Sequence, residues 1–300
     1  MGAAIGILGL LVIAFVFDQV RRSGLRRRRA AGSSPIREEA LRAGLAAAPT
    51  PDRPFVAVVI AALNEEDAIG RVLSDIPEVL CGLPVRVLVV DDGSADATAD
   101  IARAQGALVF RHSLNLGQGD GLRTGFAAAL RMGAEVVVTM DADGQHDPAE
   151  LSVLVGPVLA DEADYVQGSR FLGEYDDAGG ARHLGIMGFT RLINTLAGTE
   201  VTDCTNGYRA IAASGLGRMR LVEDRFSASE IIIEASARGL RMREVPVHIR
   251  IRDAGETKKP KGMGYPLGFL GAIVRSWLRA RILTRRSSRS AAPFGPGVRL

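Results

Sequence analysis

Two aspartates at an i, i+2 spacing, Asp141 and Asp143, come directly after the apolar run VVVTM at 136–140, and Gln145 and His146 stand just beyond them. A short apolar run bounded by turn residues reads as a strand covered on both faces, and the carboxyl end of such a strand is where α/β proteins hold ligands. Carboxylates placed there suit a hard divalent cation such as Mg2+, which takes a few oxygen ligands from protein and shares phosphate oxygens for the rest. The outline is that of a diphosphate site. Taken alone, a D-x-D pair is explained as well by a solvated turn or a helix cap. Asp147 before Pro148 has the form of such a cap, because proline is favoured at the first helical position and aspartate accepts the first free N–H groups. His146 has the chemistry of a general base, although a single histidine in such a place is more often structural.

Two more strand ends carry polar groups of the same kind. VVDDGS at 89–94 offers carboxylates that can accept hydrogen bonds from a nucleobase or a ribose, and Asp96 is placed to cap the next helix. ALNEE at 62–66 supplies Asn64 and Glu65. Acids and amides on three strand ends of one rim form a stronger signal than any one of them. The glycine-rich HSLNLGQGDGLRTG at 112–125 leads into a helix. It has neither the Lys-Ser/Thr of a P-loop nor a strand–GxGxxG–helix unit with an acid about twenty residues on, and close helix packing accounts for its glycines equally well.

The elements that must position these groups alternate. Strands are expected at 55–62, 85–90, around Leu108 and at 136–140, with helices at 66–80 (interrupted at Pro77), 95–105, 119–132 and after Pro148. A strand at 165–167, helices at 184–196 and 231–237 and an extended 244–251 complete the series. Such βα alternation builds a parallel sheet, and the folded domain is expected to span 55–251.

With 300 residues, 47% hydrophobic and 24% charged, the chain has room for one large α/β domain plus extensions. Its net charge of +3 hides an uneven distribution: arginines crowd 21–29 and the last fifty residues, while acids gather between Asp91 and Asp177. Residues 1–17 carry no charge and precede that arginine run. As a helix they reach about 25 Å against a hydrocarbon core of about 30 Å. Positive charge after the apolar stretch argues against a cleaved signal and places the remainder of the chain in the cytoplasm. A single-pass membrane anchor over 1–20 is the expectation, with an interfacial helix as the alternative, and then a basic, flexible linker over 21–54 with a short helix near 36–45. Residues 265–283 form a basic amphipathic helix, suited to a membrane surface or to packing on the domain. Cys81 and Cys204 make neither a disulfide framework nor a metal quartet. A nucleic-acid role lacks support, since no basic face with interleaved aromatics occurs in the domain.

In order along the chain stand VVIAALNEE (58–66), VVDDGSADAT (89–98), NLGQGDGLRTG (115–125), MDADGQHDP (140–148), QGSR (167–170), TDCTNGYRA (202–210) and RDAGETK (252–258). Together they resemble the family 2 glycosyltransferases of the GT-A fold, most of all the dolichol- or polyprenol-phosphate mannosyltransferases and related bacterial enzymes. The resemblance implies an α/β fold with a mostly parallel sheet. It also implies an inverting transfer of a hexose from a nucleotide-diphosphate sugar, GDP-mannose or UDP-glucose, to a polyprenyl phosphate on the cytosolic leaflet, with Mg2+ or Mn2+. By position it puts Ala61, Leu63, Glu65, Val90 and Asp92 at the nucleotide, although Ala61 and Leu63 stand where the family has proline and an aromatic. Asp141, Ala142, Asp143 and Gln145 fall on the metal–diphosphate motif, and Arg170, Arg252 and Lys258 on residues that meet donor or acceptor phosphate. Residues 252–300 then comprise an acceptor loop, a membrane-surface helix and a tail.

Two other readings stay open. A hydroxyl acceptor, on a sugar, glycan or lipid, would need a base, with Asp203 or Glu230 as candidates. A non-catalytic, membrane-tethered nucleotide-sugar-binding module would keep the fold without the chemistry; the presence of both Asp141 and Asp143 speaks against it.

Overall fold

The computed structural model describes residues 34–175, 180–250 and 264–290. Helix α1 covers 34–47. It is followed by β1 (Val56–Ala62), α2 (Glu66–Ser74), β2 (Val79–Leu80), β3 (Leu83–Asp91), α3 (Thr98–Ala104), β4 (Leu108–Arg111), α4 (Gln118–Arg131) and β5 (Val136–Asp141). A 3-10 turn (Pro148–Glu150) runs into α5 (Leu151–Leu159), and then come β6 (Tyr165–Tyr175), α6 (Gly180–Ala197), β7 (Arg209–Ala212), α7 (Ala213–Leu216), α8 (Ser227–Ala237), β8 (Met242–Ile249) and α9 (Gly264–Ser290). The sheet order is β2-β3-β1-β5-β7-β6-β8, with β4 beside β3.

Strands β1, β3, β4 and β5 are parallel, as the alternation predicts. Strand β7 enters antiparallel between β5 and β6, and β2 returns on β3 as a hairpin, so the sheet is mixed. Neither strand is legible in the sequence: β7 has four residues and β2 two, too short to show a period. The hairpin also ends the helix expected over 66–80 at Ser74. Its two-residue turn has Cys81 at φ 49° and Gly82 at φ 86°, the positive pair that matches strand twist in tight hairpins.

Strand β1 shows why the central strands read as unbroken apolar runs. Phe55, Ala57 and Val59 enter one core with α4, α8 and α9, while Val56, Val58 and Ile60 enter a second core with α2 and α5. Side chains alternate across a strand, so a sheet covered on both faces needs apolar residues at every position.

The domain begins earlier than Phe55. Ala40 and Leu41 of α1 are buried, and Gly44 lies where a Cβ would be 2.3 Å from the Phe110 ring. Both Nη atoms of Arg131 donate to the Glu38 carboxylate at 3.0 Å. Residues 34–47, expected within a flexible linker, are therefore part of the fold. Deleting 1–29 is expected to leave thermal unfolding unchanged, whereas deleting 1–48 removes the Leu41 packing and should cost about 2–5 kcal/mol; equal unfolding temperatures for the two truncations would refute this.

Helix α9 takes the second of the two courses its sequence leaves open, packing on the domain. Phe269, Ala272, Ile273, Arg275, Ser276 and Arg279 are all buried, and the Trp277 indole N–H donates to the Leu196 carbonyl at 2.7 Å. One face of this helix packs on the domain, and two of its arginines face inward rather than toward a lipid surface. No helix among the described residues is long and apolar enough to cross a membrane; the apolar stretch at 1–17 lies outside them. Both cysteines are free thiols, and burial pushes that of Cys204 up to about 11.

Candidate active site

The parallel register gathers the strand ends. Ala61 pairs with Val90 on one side and with Asp141 on the other, and Ala62 pairs with Asp91. Beyond them the two loops interlock: Asn64 donates its N–H to Ser94 Oγ (2.9 Å) and accepts from the N–H of Ala95 (2.9 Å), while the N–H of Glu65 donates to Thr98 Oγ1 (2.8 Å). Asp96, expected to cap α3, stands one residue before its N-cap Ala97 and accepts from the Thr98 N–H at 3.0 Å. Leu63 and Glu65 are partly exposed on this rim. Val90 is fully buried, so a contact from it to a ligand runs through its backbone.

Asp141 ends β5 with 37% of its side chain exposed, and Ala142 and Asp143 turn inward and are buried. Asp143 Oδ1 accepts from the Gln145 N–H (3.1 Å), closing a tight turn. His146 Nδ1 accepts from the Asp141 N–H (3.0 Å), which leaves the proton on Nε2, 3.1 Å from Asn206 Oδ1. The imidazole stacks on Tyr208 at 4.7 Å, and the Tyr208 hydroxyl donates to the Asp147 carbonyl at 2.7 Å. His146 is thus a strut of the aspartate loop with neither ring nitrogen available as a base. The Asp147 cap is as expected, accepting from the Ala149 N–H at 3.0 Å.

Among the described residues no three His, Cys, Asp or Glu side chains converge as a metal site. Asp141 and Asp143 nevertheless fit a hard cation that completes its shell with phosphate oxygens and water. Gly207 keeps the approach open, since a Cβ there would stand 3.4 and 3.5 Å from the two Asp141 oxygens. Gln145, expected at the metal, directs its side-chain Nε2–H to the Arg250 backbone carbonyl (3.1 Å), and its backbone carbonyl accepts the Arg250 N–H (3.0 Å). Arg250 also pairs with Asp147. These contacts hold Arg250, just past the end of β8, on the aspartate loop. Arg252 and Lys258 lie outside the described residues.

Asp92 holds the glycine-rich loop. Its Oδ1 is 2.7 Å from His112 Nδ1 and accepts the Leu116 N–H (2.9 Å), and its Oδ2 accepts the Gly117 N–H (2.7 Å). The loop then enters α4 through Gly117 at φ 101°, a conformation that glycine adopts without steric cost. Gln118, the first residue of α4, donates its side-chain N–H to Asp141 Oδ1 at 3.3 Å. The other glycines serve close packing: a Cβ on Gly125 would be 2.3 Å from Val59, and one on Gly119 would be 2.0 Å from the Glu223 carbonyl oxygen. Gly119→Ala is accordingly expected to cost about 1–3 kcal/mol as overpacking and to move Gln118 off Asp141; unchanged stability and activity would show that the backbone gives way freely.

Arg170, expected at a phosphate, is buried, and its Nε donates to Asp203 Oδ2 at 2.6 Å. Asp203 is itself fully buried and accepts from the N–H and hydroxyl of Thr205. Glu230 is fully buried too, beneath α9, where it accepts the N–H groups of Val222 and Glu223 (both 2.9 Å) and pairs with Arg279. Neither carboxylate reaches the rim as a base. The partly exposed Asp224 stands nearer: its carbonyl accepts the Gly119 N–H at 3.0 Å, one residue from Gln118. Gln118 and Asp224 escape a reading of the sequence because their relevance comes from contacts between distant residues, Gln118 to Asp141 and Gly119 to Asp224; the one local hint is the Glu-Asp pair just before α8.

The model of Glycosyl transferase family 2 matches residues 57–219. The dolichyl-phosphate hexose transferase of Haloferax volcanii is 36% identical over 228 residues, 76% of this chain and 96% of that one. The undecaprenyl-phosphate mannosyltransferase of Micrococcus luteus is 31% identical over 223 residues, 69% of this chain and 88% of that one. Among solved structures, glucosyl-3-phosphoglycerate synthase from Mycobacterium tuberculosis, in complex with Mn2+, UDP and glucosyl-3-phosphoglycerate, superposes with a TM-score of 0.55 at 22% identity, over 81% of this chain and 82% of that one. That likeness shows the GT-A-like fold. A strand-end aspartate pair, a glycine-rich loop folded onto it and a family match across more than half its length agree: the chain belongs to glycosyltransferase family 2.

Proposed function

We propose that this glycosyltransferase moves a hexose, with inversion, from GDP-mannose or UDP-glucose to a polyprenyl phosphate at the cytosolic face of the cell membrane. The observation that carries the acceptor is the state of the bases. His146 is locked by Asp141 and Asn206, Asp203 by Arg170, and Glu230 by Arg279. A phosphate monoester needs none of them, because its second pKa near 6 leaves it largely ionised at neutral pH. One of its oxygens attacks the anomeric carbon, the bond from that carbon to the diphosphate oxygen breaks, and the electron pair leaves with the nucleoside diphosphate. Asp141 and Asp143 would hold Mg2+ or Mn2+, which when bound supplies positive charge to the departing diphosphate. Ala61, Leu63, Glu65, Val90 and Asp92 line the nucleotide side in this reading. Arg252 and Lys258 serve the phosphates in this reading, Arg170 being committed to Asp203, and 1–20 anchors the chain. The names of the Haloferax and Micrococcus relatives support a lipid-phosphate acceptor.

A second reading rests on Asp224, the carboxylate beside the Gly117–Gly119 turn: it could deprotonate a hydroxyl acceptor. The test is transfer of labelled hexose from each donor, with and without Mn2+, to polyprenyl phosphate in vesicles or to hydroxyl acceptors. Label extracted with the lipid and released by mild acid, and insensitive to Asp224→Asn, supports the first reading. Transfer only to a hydroxyl, lost in Asp224→Asn, would replace it with the second. No metal-dependent turnover of any nucleotide sugar would leave a binding module.

A further inference from the structure

We infer that α9 belongs to the catalytic scaffold, with Glu223, gripped by Arg275 and Arg279, acting as the positioning residue that sets Gln118 against Asp141. Glu223 has no exposed surface. Arg275 meets it with Nε on Oε1 (3.2 Å) and Nη2 on Oε2 (2.8 Å), and Arg279 Nη1 donates to Oε1 at 2.8 Å. The second face of Arg279 goes to Glu230 of α8, whose two oxygens accept the N–H groups of Val222 and Glu223. Residues 222 and 223 are therefore held from both α8 and α9.

From there the path runs through the backbone. The Glu223 carbonyl accepts from Arg123 Nη1 (2.9 Å), and the Asp224 carbonyl accepts the Gly119 N–H (3.0 Å). Gly119 sits so close to residue 223 that no side chain fits between them. The next residue, Gln118, reaches Asp141. On the far side Asp120 pairs with Arg123 at 2.7 Å and stands 3.7 Å from Arg37 of α1. Buried ion pairs gain little net stability over apolar packing, because desolvation offsets their attraction. What a guanidinium fork on a carboxylate does supply is fixed direction. Fixed direction matters most where a shift of about 1 Å in a catalytic group can cost about 100-fold in rate.

The inference rests on the transferase site proposed above, and its test separates the two. Full-length Glu223→Gln, Arg275→Met and Gln118→Ala, with the double variant Glu223→Gln/Gln118→Ala, are compared by amide hydrogen exchange and by sugar transfer. Glu223→Gln and Arg275→Met are expected to speed exchange at 116–119 about 10-fold while leaving β1 and β5 protected. Transfer should fall about 10-fold or more in kcat, with the acceptor KM unchanged. In the Gln118→Ala background Glu223→Gln should cost little more, because the contact it positions is already gone. Exchange that rises uniformly across the domain, or losses that simply multiply in the double variant, would overturn the inference. Should the wild-type chain transfer no sugar, the exchange pattern still decides the coupling by itself.

Discussion

Asp143→Asn is expected to lower metal-dependent sugar transfer by at least about 100- to 1,000-fold, the cost of losing one electrostatic partner of a developing charge. The substitution keeps the local fold, because an amide oxygen can still accept the Gln145 N–H that Asp143 Oδ1 accepts now. What disappears is the negative charge for a cation, at a residue only 5% exposed, where solvent cannot replace it. Asp141→Asn should be similar in turnover, though its partly exposed carboxylate sits in a higher dielectric and the loss should be the smaller of the two. The measurement is initial rate at saturating Mn2+, with thermal unfolding run in parallel. Full activity in Asp143→Asn at saturating metal would remove the aspartate pair from the mechanism.

Arg279→Met should produce the largest loss of stability, about 3–5 kcal/mol, since it leaves two buried carboxylates short of a partner. Its pH dependence is the sharper test. Burial lifts Glu230 to about 7, against the opposing pull of Arg279 and with help from the neighbouring Glu223 charge. Burial acts on Glu223 the same way, but the hydrogen bond from Arg275 and the charges of both arginines win and hold it below its ordinary value. The folded state therefore binds the Glu230 proton more tightly than the unfolded chain. In the wild type this contribution is full below the ordinary carboxylate range and is lost as pH rises toward about 7. Without Arg279 the proton is held to still higher pH, so the penalty of the variant should be larger at pH 8.5 than at pH 6. Adding Glu230→Gln should recover much of the difference at pH 8.5. Denaturant unfolding at the two pH values decides; equal losses would mean that the variant acts through packing of the arginine stem rather than through charge.

What the sequence by itself determined is whatever a short window can encode. Apolar runs of strand length placed β1, β3 and β5, and turn chemistry put Asp141, Asp143 and the Asp147 cap at a strand end, because these features depend on neighbours within a few residues. A parallel register then brings equivalent strand ends to one rim, so Ala61, Asp91 and Asp141 were foreseeable as neighbours. The tertiary structure decided the partners. Arg170 and Asp203 are 33 residues apart, and Arg275 and Glu223 are 52 apart; an arginine in sequence carries no mark of whether it faces phosphate, lipid or a buried carboxylate. The same holds for α1, which lies in a stretch of little sustained periodicity, and for α9, whose amphipathic pattern suits a membrane surface as well as a protein core. Only the position of Phe110 against Gly44, and of Glu223 beneath Arg275 and Arg279, shows which apolar and charged surfaces those helices cover. Antiparallel β7 was invisible for a related reason: four residues are too few to show a period, and its place is set by the edge of β5 that it completes.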